Sequence, residues 1–234
     1  MPQQKTWSGS GVILSFFKLR NTAEISLETI EIWFNEEYFP ALLGTGAITS
    51  AVLYKAANPS YDKQYLLVYD VPDLSSVAGK IQLVERSSKQ SLFKGIVDDY
   101  VDNERRIYTF LQLYETKQHD EDSPPAIMLA MMQPGEGKET DLDAWYRDEH
   151  NQQMSEQPGW LKTTRYSLLA QHSSTDQTSL ELSFLAIHAF DKANQLGTEV
   201  KALEPMSNWT KKVMSEAKGI DAAIYHKQKS DGRK

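Results

Sequence analysis

The chain has 234 residues, a formal net charge of −7 and a pI near 5.3. It is long enough for one large or two small cored domains, and its acidity argues against nucleic acid or an anionic membrane as partner. Cysteine is absent, which excludes disulfides, thiolate zinc sites, iron–sulfur clusters and a cysteine nucleophile.

The opening MPQQKTWSGSG is polar and carries no signal-peptide pattern, and no apolar window approaches the ~20 residues of a membrane span. A soluble, cytosolic protein is expected. Residues 12–19, VILSFFKL, predict a strand that is apolar on both faces. Ser26 is a candidate N-cap, and Leu27, Ile30, Trp33, Phe34, Tyr38, Ala41 and Leu42 recur at helical spacing until Gly44 and Gly46. Strands are predicted at 48–57 and 64–71, a helix at 73–84, a short helix or ordered excursion at 91–100, and a strand at 105–115. The polar, proline-ended stretch 117–125, KQHDEDSPP, predicts a linker. The order then restarts: strand 126–133, helix 141–155, strands 160–170 and 180–190, helical segments 191–203 and 208–217, and strand 220–228. Basic residues cluster only in the tail from Lys227 to Lys234.

The two helices share a pattern at one constant offset. Ile30 meets Leu142, Trp33 meets Trp145, Phe34 meets Tyr146, Glu37 meets Glu149, and Tyr38 meets His150. The strands echo less strictly, Ile107-Tyr108 against Ile224-Tyr225 and Asp70 against His188. Two tandem βαββαβ units are therefore expected, residues 1–117 and 118–234, in an α+β class. Each ferredoxin-like unit packs helices on one sheet face, and the two sheets cover each other. The barrel so formed closes within one chain or between two copies, and both remain open.

The doubled unit resembles the dimeric α+β barrel superfamily, and its second helix resembles the EthD-like branch, through Trp145-Tyr146, His150, Gly159 and Arg165-Tyr166. Gln152 stands where that pattern has proline, whereas the first copy keeps Pro40 and lacks the histidine. The resemblance implies polyketide tailoring without a cofactor: cyclisation of a pyrone, lactone or aldol ring first, then decarboxylation or oxygenation of an anthrone-like phenol. It also implies a hydrophobic small-molecule substrate and a polyketide synthase as associated partner. A non-catalytic protein that binds a small molecule or a partner is the rival reading.

On a helical wheel Leu142, Trp145, Tyr146, Glu149 and Gln153 share a stripe, with His150 about 40° from Tyr146 at its edge. Imidazole suits acid/base work near neutrality. In the catalytic reading His150 moves the proton, Glu149 orients it, and Arg165 and Tyr166 hold an oxyanion, while Trp145, Tyr146 and His188 contact the substrate. Glu149 has a second reading, since Glu37 occupies the same place: a structural carboxylate satisfied by backbone or an arginine. His188 shares a strand face with Leu182, Phe184 and Ala186 and is expected to point inward. His119, His172 and His226 are expected at the surface. No metal site is expected, because no HxxxH, HxH or dense acidic cluster occurs, and GxGxxG, P-loop and GxSxG motifs are missing.

Overall fold

The computed structural model describes residues 6–22, 24–80, 82–119, 123–174 and 181–228. Eight strands form one closed barrel: β1 (Gly11–Leu19), β2 (Ser50–Ala56), β3 (Tyr65–Val71), β4 (Val101–Glu115), β5 (Ala126–Gln133), β6 (Trp160–Ser173), β7 (Phe184–Phe190) and β8 (Gly219–Lys227), in the order β1-β3-β2-β8-β5-β7-β6-β4. Each half lays its strands in the same order, β4-β1-β3-β2 and β8-β5-β7-β6. Two antiparallel seams join the halves. The β2–β8 seam is short, from Tyr54↔Lys227 to Ala56↔Tyr225, and the β4–β6 seam is long and shifts register after Ile107 and again after Phe110. The chain thus closes its own barrel.

Strand β1 is apolar on both faces because both are covered. Val12, Leu14 and Phe16 of β1 point into the barrel with Leu66, Tyr108, Ile127, Leu129, Tyr166, Leu168 and Tyr225. Ile13 and Phe17, one residue out of phase, pack outward under the first helix.

That helix, α1 (residues 27–44), starts at Ser26, whose hydroxyl accepts from the Thr29 amide. Its counterpart α2 spans residues 139–155. Both contain one π turn at the matching place, Phe34–Tyr38 and Tyr146–His150. A third helix, α3 (Asn208–Glu216), is capped by Ser207. Among the described residues no helix is long and apolar enough to cross a membrane.

Two predicted helices do not form among the described residues. Of those in 73–84 only a 3-10 turn forms, Leu74–Val77, because Asp73 caps it while Gly79 takes φ +70° just beyond. Residues 82–100 then run as an excursion over α1, pinned by a Ser87↔Ile96 bridge and a short turn at Val97–Asp99. Residues 191–207 are irregular, because Asp191 and Asn194 turn their side chains onto the nearby amides of Ala193 and Leu196 and break the helical ladder. The expected linker joins β4 to β5, and its residues 120–122 lie outside the described residues.

Candidate active site

A cavity of about 510 Å³ lies between α2, the outer face of the second sheet and the segment 191–207. Trp145, Tyr146, His150 and Met154 of α2 form one wall, and Met128, Ala130, Met132, His188, Ala222 and Ile224 form the floor. Five of the chain's seven methionines line it: Met128, Met132, Met154, Met206 and Met214. Such unbranched, polarisable walls adapt to flat apolar ligands.

The π turn explains why His150 belongs to this wall. Residues five apart lie about 140° apart on an ideal α-helix, which is why the wheel put His150 at the edge. The extra residue in the turn carries the Asn151 amide back to the Tyr146 carbonyl and swings His150 over Trp145. The rings stack at 4.2 Å between centroids and 18° between planes. The first half repeats the device with Tyr38 on Trp33, at 4.6 Å and 18°.

His150 meets Tyr146 edge to face at 5.1 Å and His188 edge to face at 5.6 Å. Burial pulls the His150 pKa down to about 4; Glu149 opposes this and the Arg165 charge adds to it. His188 is held well below the usual imidazole range by burial, then by His150 and Arg165. Both rings are therefore neutral at pH 7. Tyr146 is raised to about 12 by burial, against the pull of Arg165, and keeps its proton.

Four sequence expectations require correction. Glu149 does not orient His150: its Oε1 accepts from Ser207 Oγ at 2.6 Å, Thr210 Oγ1 at 2.7 Å and Trp145 Nε1 at 3.3 Å, which ties α2 to the start of α3. Burial alone would raise its pKa, but these donors leave it below the ordinary carboxylate value. Glu37 does the equivalent job for the excursion, accepting from Ser88, Lys89 and Gln90. Arg165 does not line the cavity. It lies behind Tyr146, 4.2 Å from the ring centroid, and pairs with Asp143 at 2.6 Å. Tyr166 faces the barrel interior, because neighbours on a strand point to opposite faces and cannot both serve one hollow. Leu182, just before β7, also turns inward to the barrel, away from His188.

Strand register also changes one pairing between the halves. Ala51 lies opposite Tyr69 in β2–β3, as Thr163 lies opposite His188 in β6–β7. The counterpart of His188 is thus Tyr69, not Asp70. By the same register Ser15 and Arg105 correspond to Ala130 and Ala222. In the first half Arg105 is buried, Phe93 packs edge-on against Trp33, and Arg86 lies 5.8 Å from the Tyr38 ring, leaving only about 230 Å³. The second half has alanine at both floor positions, and the larger hollow results.

Sequence reasoning missed the segment that covers this hollow and the residues that hold it. The Asp191 amide donates to the Gly159 carbonyl at 2.7 Å, and a side chain at Gly159, φ +73°, would strike the Asn194 amide at 2.5 Å. Ser207 fastens the other end through Glu149. Thr163, on the same strand face as Arg165, was also legible from a period of two and was passed over. His172 and His226 are exposed and His119 is partly buried. Among the described residues no group of three or more His, Cys, Asp or Glu could hold a metal ion.

Glu149→Ala is expected to cost about 1–3 kcal/mol in urea denaturation, as three donors lose one acceptor. Glu149→Gln, which retains an acceptor oxygen, should cost less. Equal losses would show that charge rather than hydrogen bonding joins α2 to α3.

The sequence matches no protein-family model and no curated protein. Solved structures do match. They include an anthrone oxidase-like protein with a TM-score of 0.57 at 10% identity, over 97% of this chain and 93% of the other. A chlorite dismutase of Candidatus Nitrospira defluvii gives 0.52 at 10%, over 97% and 94%. A Lactobacillus acidophilus NCFM protein, described as a candidate monooxygenase, gives 0.51 at 10%, over 94% of each chain. At this identity the likeness establishes the fold: this chain shares the α+β barrel of these three proteins.

Proposed function

We propose that the protein is an enzyme acting on a flat, apolar, enolisable phenol of the anthrone type, which it oxidises with molecular oxygen and no cofactor. The observation that carries this reading is the pair of neutral imidazoles, His150 and His188, set edge to face at 5.6 Å in an otherwise apolar hollow. His150 is the base. It takes a proton from the activated carbon, and charge spreads over the aromatic system. The carbanion passes one electron to oxygen, and the radical pair combines to form the carbon–oxygen bond. The peroxide takes the proton back from His150. Loss of the second hydrogen as a proton breaks the oxygen–oxygen bond, leaves a carbonyl and releases water. The low pKa of His150 does not prevent the first step, because the anion formed stabilises the imidazolium beside it.

Ring closure, the first reading of the sequence, relied on Arg165 and Tyr166 as an oxyanion clamp. With Arg165 paired to Asp143 and Tyr166 in the barrel, a delocalised carbanion is the better match. The names of two neighbours, anthrone oxidase-like and candidate monooxygenase, agree with this choice. In this reading the halves 1–117 and 118–234 are copies of one unit, supported by their shared strand order and π turns, and the second copy is the working one. The EthD-like pattern of Trp145, Tyr146, His150 and Gly159 fits the same assignment.

An oxygen electrode decides between the chemistries. With an anthrone as substrate, one oxygen is expected to be consumed per quinone formed. Product without oxygen uptake would favour ring closure or decarboxylation, and saturable binding without turnover would favour a carrier.

A further inference from the structure

His188 is 1% exposed, and its Nδ1 lies 2.8 Å from Thr163 Oγ1, also 1% exposed. Thr163 Oγ1 in turn accepts from Trp160 Nε1 at 3.2 Å. An indole nitrogen only donates, so one lone pair of the hydroxyl is taken. If His188 donated as well, the hydroxyl hydrogen would need an acceptor in a buried place, and among the described residues Thr163 has none. The hydroxyl hydrogen therefore goes to Nδ1, and the proton of the neutral ring sits on Nε2. That nitrogen has no partner among the described residues, yet it is not among the side-chain atoms that are both sealed and unpartnered. His188 lines the cavity, so Nε2 is the atom it offers there.

We propose that Thr163, itself held by Trp160, locks His188 as the Nε2–H tautomer, and that His188 is the neutral hydrogen-bond donor to the substrate's oxygen. The substrate role rests on the function proposed above; the tautomer does not. The hollow then holds a division of labour between two like rings. His150 has no hydrogen bond among the described residues and takes the proton, while His188 donates one bond to the ketone or phenolate oxygen as charge moves onto it. A donor already oriented stabilises that charge without reorganising. Substrates must then carry an oxygen on the same ring system as the acidic hydrogen, and analogues without that oxygen should bind but not turn over. Thr163 and Trp160 are positioning residues.

The test is two-bond proton–nitrogen NMR on the ¹⁵N-labelled full chain, with the His188 signal assigned by its loss in His188→Gln. Wild type should show His188 with Nε2 protonated and Nδ1 bare. Thr163→Val should lose that preference and lower kcat by about tenfold or more with little change in KM, and Thr163→Ser should restore both. Thr163→Ala removes the same hydroxyl with a smaller side chain and should also lose the Nε2–H preference, which keeps the test open should Thr163→Val fold poorly. A wild-type ring protonated on Nδ1, or spectra unchanged in both variants, would overturn the proposal. Absence of turnover in wild type would remove the proposed function while the spectra still decide the tautomer.

Discussion

Replacing His150 by Gln or Ala is expected to lower turnover by about 10²- to 10⁴-fold, the usual contribution of a general base, while ligand affinity changes little. The side chain forms no hydrogen bond among the described residues and contributes mainly its stack on Trp145, so the loss in stability should stay near ~1 kcal/mol. The pH profile gives a second check. With the folded ring titrating at about 4, the acid limb of kcat/KM should lie near pH 4, not at the ordinary imidazole value of about 6.5. Stability follows the same sign. Between about 6.5 and 4 the unfolded chain binds a proton that the folded ring refuses, so stability is complete above that window and falls as pH drops through it. His150→Gln should make the fall shallower, with His188 supplying the remainder. Full activity in both variants, or an acid limb at the ordinary value, would end the assignment of His150 as base.

Ala222→Phe is expected to abolish ligand binding and leave the fold standing. Ala222 belongs to the cavity floor at the place where the first half buries Arg105, so the larger side chain enters empty space and escapes the usual ~1–3 kcal/mol of overpacking. Affinity for an anthrone or a quinone product should weaken by about 100-fold, equivalent to about 2.8 kcal/mol, with a melting temperature close to wild type. Calorimetry and thermal denaturation on the same preparation read both. Unimpaired binding would mean that the ligand sits elsewhere and that the contrast between the halves has no functional meaning.

The residues that could be read in advance were those governed by local rules. Short apolar runs bounded by turn residues and helical spacing located the eight strands and three helices found among the described residues, because those patterns record which parts of each element are dry. The same rules failed at 73–84 and 191–203, where side-chain caps and turns outcompeted a weak helical pattern. Arg165 and Tyr166 were assigned to one site from their closeness in sequence, although adjacency on a strand is itself a reason for opposite faces. His150 was placed at an edge because an ideal wheel contains no π turn.

From the sequence by itself came the recurrence of one helix pattern, the substitution of His150 for Tyr38, and the absence of cysteine chemistry, all of them properties of residue identity and spacing. The tertiary structure alone decided that one chain closes the barrel, that Glu149 bonds to Ser207 and Thr210 and Arg165 pairs with Asp143, and that His188, bonded to Thr163, meets the His150 ring. Those facts depend on strand register and on which alanine meets which ring across the sheet. Contacts between residues far apart in the chain are set by the sum of all the packing, so no local stretch contains them.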